Sequence, residues 1–126
     1  MSSRSTDSQR IVQFVCEHGA FRSRIASAYF NAASPAGWRA RSAGREPQAA
    51  ISPALEPLLA GTSALEELER DAPAGVRADA ERTIAIDCDA PADEHWVLAH
   101  RDPDTGLRDE LRDRVAALAE ALATAD

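Results

Sequence analysis

Short apolar runs along this chain alternate with segments of helical spacing. The first run, residues 11–15, combines β-branched and aromatic side chains and predicts a buried strand. Similar runs predict further strands at 38–42, 83–88 and 95–99. Because strands and helical segments alternate, we expect an α/β domain with a parallel sheet.

Helical spacing of apolar residues, with start and stop signals, predicts four helices. Ser23 is the expected N-cap of the first, Ser52 precedes the second, and Ser63 with Glu66 forms a capping-box pattern for the third. The last is amphipathic and carries leucines on one face. The predicted helices cover residues 23–32, 53–61, 63–71 and 107–122.

The predicted topology is a flavodoxin-like three-layer fold. Right-handed crossovers and a small strand number favour a four-stranded parallel sheet of order 2-1-3-4 with helices on both faces. Residues 1–126 are expected to form one domain, with 1–9 flexible. Because ligands bind at the carboxyl ends of parallel strands, the segments at Cys16, Cys88 and Asp102 should meet at one edge.

Cys16 and Arg22 are separated by five residues, between the first strand and its helix. A helix N-terminus favours an anion, either a bound oxyanion or the Cys16 thiolate, so Cys16 is predicted to be a nucleophile. The planar fork of Arg22 matches two oxygens of a tetrahedral oxyanion. The remaining residues expected to surround the anion are Glu17, His18, Gly19, Ala20, Phe21 and Ser23.

The pattern Cys, five residues, Arg, Ser after an apolar strand resembles the loop of the low-molecular-weight protein tyrosine phosphatase superfamily, which includes the thioredoxin-coupled arsenate reductases. Ser42-Ala43-Gly44 is similar to the family's Ser-Ala-Gly segment, and Asp102-Pro103 to its Asp-Pro loop. Residues 109–115 resemble the closing helix of the arsenate reductase branch. The likeness covers most of residues 11–122.

This resemblance implies a two-step displacement on a phosphate monoester. Cys16 attacks phosphorus, Arg22 and the loop N–H groups hold the oxygens, and Asp102 protonates the leaving oxygen before acting as base for water. The resemblance implies no cofactor, and the chain shows no metal-ligand spacing. For Asp102 the alternative is a common turn initiator, with Asp104 two residues away as a competitor.

The loop departs from the family pattern in three places. Family members usually carry Gly-Asn at its centre and a second cysteine before the arginine, where this chain has His18-Gly19 and Phe21. Gly19 supplies the positive φ that such a loop needs. Glu17 is expected to point outward to solvent, because its carboxylate would repel a bound dianion.

Cys88 bears on the choice of reaction. The arsenate reductases resembled here use a cysteine after the third strand and another several residues later, and this chain has only the first. A complete three-cysteine relay is therefore excluded. Cys88 either resolves an oxidised Cys16, with a small thiol or thioredoxin as donor, or is a buried strand-end cysteine.

Three functions follow. The first is a cysteine-dependent phosphatase acting on phosphorylated, phosphotyrosine-like substrates, and the second an arsenate reductase with an external thiol or thioredoxin donor. The third is a catalytically silent phosphate-binding module.

Charge and cysteine content narrow the setting. The net charge of −7 argues against nucleic acid and anionic membranes as partners. No apolar stretch has the length of a membrane span, and residues 1–9 are polar where a signal peptide would be apolar. Two cysteines do not resemble a secreted disulfide scaffold, so a cytoplasmic location is expected, with the oligomeric state left open.

Overall fold

The computed structural model describes residues 9–124, so the predicted flexible segment lies outside the described residues except for Gln9. The strands are β1 (Arg10–Cys16), β2 (Trp38–Gly44), β3 (Arg82–Ile86) and β4 (Glu94–Trp96). The helices are α1 (Arg22–Ala33), α2 (Leu55–Leu59) and α3 (Thr105–Thr124), with a 3-10 turn at Leu65–Glu67.

The four strands are parallel and ordered β2-β1-β3-β4, which confirms the predicted sheet. The central strand β1 pairs with β2 along its whole length, from Arg10 opposite Trp38 to Cys16 opposite Gly44. The two strands therefore end side by side. This register brings the segment after β2 against the segment after β1.

The main core lies on one face of the sheet, where alternate strand residues meet all three helices. Phe14 in β1 is fully buried, and its ring lies 6.1 Å from that of Phe30 and 5.8 Å from that of Trp96. The apolar face of α3 joins this core, and Arg114 of α3 lies over the Trp96 ring of β4, 5.8 Å from its centroid. No helix within residues 9–124 has the length and apolar character needed to cross a membrane.

The opposite face of the sheet is covered differently from the prediction. Its smaller cluster contains Val15, Ala43, Ala85 and Ala90, and it lies under segments without regular helix. Gln13, also on this face and fully buried, accepts a hydrogen bond from the Arg77 N–H at 2.6 Å. The extended segment at Arg77, which is bound to this buried amide, thus covers part of the sheet face that a helix was expected to cover.

The predicted helix at 63–71 is wrong beyond one 3-10 turn. Ser63 forms no capping hydrogen bond, and the backbone becomes extended at Leu68. The next residues are drawn towards the sheet instead, because the Glu69 carboxylate accepts hydrogen bonds from the Ser42 N–H at 3.2 Å and hydroxyl at 2.8 Å. These tertiary bonds compete with a helix too short to be stable by itself.

Several predicted boundaries also move. Helix α2 begins at Leu55 rather than beside Ser52, whose hydroxyl accepts a hydrogen bond from the Ala54 N–H at 3.2 Å. Strand β3 ends at Ile86, so Cys88 lies in the following turn. Strand β4 ends at Trp96.

A carboxylate in α3 holds the segment that joins β4 to α3. Glu110 accepts hydrogen bonds from the backbone N–H groups of Ala99 (3.0 Å) and His100 (2.9 Å), and from the side chains of His100 and Arg114. Burial by itself would raise its pKa, but these donors together lower the pKa of Glu110 to about 2. The Glu110 carboxylate thus fixes the segment that leads to Asp102.

We expect Glu110→Gln to lower the free energy of unfolding at pH 7 by about 1–3 kcal/mol, because the donors lose a charged acceptor. The folded-state pKa is depressed, so this stabilisation is complete above the ordinary carboxyl value of 4.5 and is lost as pH falls towards about 2. Urea unfolding from pH 7 to 3 measures it. Glu120→Gln, an exposed position on α3, is the matched control; an equal effect of both variants would contradict the assignment.

Candidate active site

Cys16 ends β1 with only 5% of its surface exposed. Its sulfur lies 3.2 Å from the Ser23 hydroxyl oxygen and 3.5 Å from the Ser23 N–H nitrogen. Ser23 is therefore not the N-cap that the sequence suggested: α1 begins one residue earlier, and Phe21 precedes it without a side-chain cap. The hydroxyl accepts from a Cys16 thiol and donates to a thiolate, so the contact serves both protonation states.

In the loop that follows Cys16, five successive backbone carbonyls point outward and accept hydrogen bonds from neighbouring parts of the chain. The carbonyl of each of these residues accepts from one donor: Cys16 from the Arg45 N–H (2.9 Å), Glu17 from the Glu46 N–H (2.7 Å), His18 from the Gln48 N–H (3.2 Å), Gly19 from the Arg24 Nε (2.9 Å) and Ala20 from the Ser52 N–H (2.9 Å). In a planar trans peptide the N–H points opposite to the C=O. The following N–H groups therefore point to the opposite, concave side of the loop, which we call the cradle, and N–H groups arranged in this way can bind an anion.

Two glycines permit this arrangement. Gly19 has φ +66°, as the sequence predicted, a conformation that other residues rarely adopt. Gly44, at the end of β2, packs directly on the loop: a Cβ there would lie 2.5 Å from the His18 carbonyl carbon and 2.7 Å from the Gly19 nitrogen. The cradle thus depends on close backbone approach between the ends of β1 and β2.

Arg22, at the start of α1, faces a buried carboxylate. Its Nε lies 3.3 Å from Asp87 Oδ2, and its Nη2 donates to the Arg101 carbonyl at 3.2 Å. Among the described residues, neither that Nε nor that Oδ2 has a hydrogen-bond partner, although both atoms are buried. An oxyanion in the cradle would supply the acceptor that the Arg22 N–H lacks.

Asp87 divides its charge between two arginines. Its side chain is 5% exposed, and its Oδ1 accepts hydrogen bonds from Arg101 Nη1 and the Leu98 N–H, both at 3.1 Å. Two guanidinium groups against one carboxylate leave one positive charge beside the N-terminus of α1. A chain with a net charge of −7 therefore holds a local positive site.

Glu17 and His18, the charged and polar residues that follow Cys16, both bind the segment after β2. The Glu17 carboxylate is 40% exposed, in agreement with the predicted exposure to solvent, and binds Arg45 Nη1 at 3.1 Å. His18 is exposed and donates from Nδ1 to the Glu46 carbonyl at 3.1 Å. Ala20 is buried, and Phe21 packs against the main core.

A cavity of about 570 Å³ opens beside the cradle. One side is formed by the loop from Cys16 to Arg22, and the other by residues 48–53. The second wall is mainly aliphatic and contains Ala49, Ala50 and Ile51. The space next to the cradle thus accepts an apolar group attached to the anion.

The structure separates the roles of Asp102 and Asp104. Asp104 Oδ1 accepts hydrogen bonds from the N–H groups of Gly106 (3.0 Å) and Leu107 (3.3 Å), so it caps α3. Asp102 is exposed and follows Arg101, whose carbonyl binds Arg22. Asp102 therefore sits at the same edge of the sheet as the cradle, although it does not line the cavity beside it.

Cys88 does not belong to the loop that forms the cradle, but lies in the turn after β3. Its sulfur is 3.7 Å from the Val15 carbonyl, next to Cys16 in the chain, and the thiol is partly buried. Burial raises the pKa of Cys88, and the charges of Cys16 and Glu17 act in the same direction. Cys88 is therefore held as a thiol close to the first cysteine.

Three residues of the site escaped the sequence interpretation: Arg24, Asp87 and Arg101. Asp87 follows β3 directly, so the rule that ligands bind at carboxyl ends of strands was a signal that pointed to it. Arg24 and Arg101 had no such signal, because nothing in their sequence spacing indicates which carbonyl or carboxylate they contact.

Several solved structures superpose on this chain. A thioredoxin-dependent arsenate reductase from Corynebacterium glutamicum has a TM-score of 0.73 at 24% identity and covers 93% of this chain, which spans 63% of that enzyme. An arsenate reductase from Archaeoglobus fulgidus has a TM-score of 0.67 at 28% identity, covering 86% of this chain and 98% of its own. A low-molecular-weight protein tyrosine phosphatase from T. tengcongensis has a TM-score of 0.65 at 20% identity, covering 89% and 99%.

An arginine phosphatase from Geobacillus stearothermophilus is also among the matches. No family model and no curated protein matches the chain. The chain has the fold shared by low-molecular-weight protein tyrosine phosphatases and arsenate reductases, and the resemblance to this superfamily is confirmed. Its neighbours are enzymes of two kinds, and they do not distinguish phosphatase from reductase.

We expect Gly44→Ala to disrupt the cradle, because the new Cβ would clash with the backbone of His18 and Gly19. Overpacking of this kind costs about 1–3 kcal/mol of stability. Inorganic phosphate binding, measured by calorimetry, should weaken with it. Gly75→Ala, where a Cβ meets nothing within 4 Å, is the control and should leave both quantities unchanged. Normal phosphate affinity in Gly44→Ala would refute the close-approach argument.

Proposed function

We propose that this protein is a cysteine-dependent phosphatase that hydrolyses phosphate monoesters through a phosphocysteine intermediate. The observation that carries the proposal is the cradle behind Cys16, in which five outward carbonyls leave inward N–H groups for an oxyanion. A nucleophile at the end of a strand, a helix N-terminus and an arginine with an unpaired buried N–H add to it.

In the first step, the Cys16 sulfur attacks phosphorus as the bond to the leaving oxygen breaks. The Ser23 hydroxyl, 3.2 Å from the sulfur, donates to the thiolate before attack. Loop N–H groups and Arg22 hold the equatorial oxygens as charge builds on them. Asp102 gives its proton to the leaving oxygen, so the alcohol or phenol departs neutral.

In the second step, water attacks phosphorus and the sulfur–phosphorus bond breaks. Asp102, now a carboxylate, takes the proton of the attacking water, and Cys16 leaves as a thiolate. Arg22 stays in place for both steps. Its contact with Asp87 is an ion pair at 3.3 Å without a hydrogen bond, so a dianion would compete with this ion pair and with the single hydrogen bond from Nη2 to the Arg101 carbonyl.

The substrate of this proposal is a phosphorylated protein or small molecule with an apolar group next to the phosphate. The aliphatic wall at Ala49, Ala50 and Ile51 supports an apolar leaving group. Phe21 lines the same cavity and offers a ring contact. A phosphotyrosine-like ester meets both requirements.

The direct test is hydrolysis of para-nitrophenyl phosphate from mildly acidic to neutral pH without added thioredoxin. Wild-type protein should turn over, and Cys16→Ser should be inactive because the serine hydroxyl is a much weaker nucleophile. Phosphate binding without wild-type hydrolysis would sink the phosphatase proposal and favour a silent binding module.

Asp102→Asn should lower kcat by about 10²–10⁴-fold, since the leaving oxygen then departs unprotonated. Asp104→Asn is the matched control two residues away, because asparagine caps a helix as well as aspartate does. Its activity and melting temperature should stay near those of the wild type. A larger loss in Asp104→Asn than in Asp102→Asn would reverse the assignment of the general acid.

Arsenate reduction is the second candidate, and the position of Cys88 favours it. Cys16 would attack arsenate and form a sulfur–arsenic bond as one arsenic–oxygen bond breaks, and that oxygen would leave as water. The Cys88 sulfur would then attack the Cys16 sulfur. The sulfur–arsenic bond breaks with its electron pair left on arsenic, which gives As(III) and a Cys16–Cys88 disulfide. A dithiol or thioredoxin then reduces that disulfide. The raised pKa of Cys88 disfavours the attacking thiolate, so we rank this reaction second.

Arsenate-dependent NADPH consumption with a thioredoxin system distinguishes the two reactions. The phosphatase proposal expects none, and it expects Cys88→Ser to hydrolyse para-nitrophenyl phosphate like the wild type. Robust consumption that Cys88→Ser abolishes, together with a Cys16–Cys88 disulfide by mass spectrometry, would establish the reductase instead.

We also propose a cytoplasmic location for this chemistry. Cys16 and Cys88 are both free thiols. A nucleophilic cysteine of this kind persists in a reducing compartment.

A further inference from the structure

Arg24 is a buried cation in the first turn of α1, with 2% of its surface exposed. Its Nε donates to the Gly19 carbonyl at 2.9 Å, and its Nη1 donates to the Glu69 carbonyl at 2.9 Å and contacts Asp71 Oδ1 at 3.2 Å. Burial and the positive end of the helix both disfavour a cation here. These contacts offset the free-energy cost of burying the Arg24 charge, a cost that an uncharged residue would not have.

The contact with Gly19 differs in kind from the rest of the cradle. Four of the five outward carbonyls accept from backbone N–H groups of the segment after β2, which a side-chain substitution leaves in place. The Gly19 carbonyl alone among those five accepts from a side chain. It also belongs to the residue with the left-handed φ of +66°, where the loop reverses direction.

The orientation of one peptide follows from this bond. The Gly19 carbonyl is drawn towards Arg24, so the N–H of Ala20 in the same planar peptide points the opposite way. That direction is the concave side of the loop. Ala20 is itself buried, so its N–H has little access to bulk water in place of an anion.

We propose that Arg24 is a positioning residue that aims the Ala20 N–H at the phosphoryl oxygens. This inference rests on the proposed anion cradle, and it adds a residue that touches neither the substrate nor Cys16. Its action requires the Nε donor and not the guanidinium charge.

Two substitutions separate the donor from the charge. Glutamine places its Nε2 the same number of bonds from Cα as the Nε of arginine, so Arg24→Gln keeps a donor towards Gly19 without a charge. Arg24→Met has a similar length and no donor. Both lose the contacts of Nη1 with Glu69 and Asp71, so any purely structural effect of that loss is common to the pair.

The measurement is the Kd for inorganic phosphate on the full chain, with thermal melting as the check of folding. Arg24→Met should bind about 10-fold more weakly, the effect of one misaligned hydrogen bond to a charged acceptor. Arg24→Gln should bind nearly as tightly as the wild type. Equal affinity in all three proteins, or equal weakening in both variants, would overturn the proposal.

Amide NMR gives a second readout that does not depend on the stability of a variant. When phosphate is added to the wild type, the Ala20 N–H proton should move strongly downfield, as expected for a new bond to an anion. An Ala20 resonance that stays unchanged while phosphate binds would overturn the proposal even if Arg24→Met does not fold.

The two proposals fail in different ways. If phosphate binds with the predicted Arg24 dependence and no hydrolysis occurs, the positioning role holds and the phosphatase proposal fails. If hydrolysis depends on Cys16 but phosphate affinity is the same in Arg24→Met and the wild type, the phosphatase proposal holds and the positioning role fails. A wild type that binds no phosphate would overturn both.

Discussion

The outward hydrogen bonding of the loop after Cys16 is the constraint on which the rest of the site depends. A backbone peptide cannot offer both its groups to the same side, so an inward row of N–H groups requires an outward row of satisfied carbonyls. The segment after β2 satisfies four of these carbonyls and Arg24 the fifth. The pairing of Cys16 with Gly44 at the ends of β1 and β2 makes this possible.

The sheet supplies the rigidity that such a loop needs. Strand β1 lies at the centre, paired on both sides, and its apolar residues are buried against helices on one face and a smaller cluster on the other. The loop therefore begins and ends on elements that cannot shift independently. Groups held on rigid elements keep the sub-ångström placement that the proposed phosphoryl transfer requires.

The local arrangement of charges is compatible with the proposed anionic ligand, although the protein as a whole is acidic. Glu17 pairs with Arg45, which also lies 3.7 Å from the Glu46 carboxylate, whereas Asp87 is shared between Arg22 and Arg101, so the excess guanidinium charge lies at Asp87. Within the described part of the chain, this balance comes from residues on three separate segments. Attraction at short range then outweighs the net charge, which is screened over longer distances.

The strand order, the Cys16–Arg22 loop and the positive φ at Gly19 could all be predicted from the sequence, because each follows from local spacing or from general rules of chain topology. The failed helix at 63–71 shows the limit, since Glu69 is drawn to Ser42 by bonds that no local pattern encodes. The contacts of Asp87, Arg101 and Arg24 became visible only in the folded chain, because Asp87 and Arg101 are 14 residues apart and Arg24 is 45 residues from Glu69. Long-range hydrogen bonds depend on which segments the sheet brings together. The spacing of residues along the chain does not indicate which segments these are.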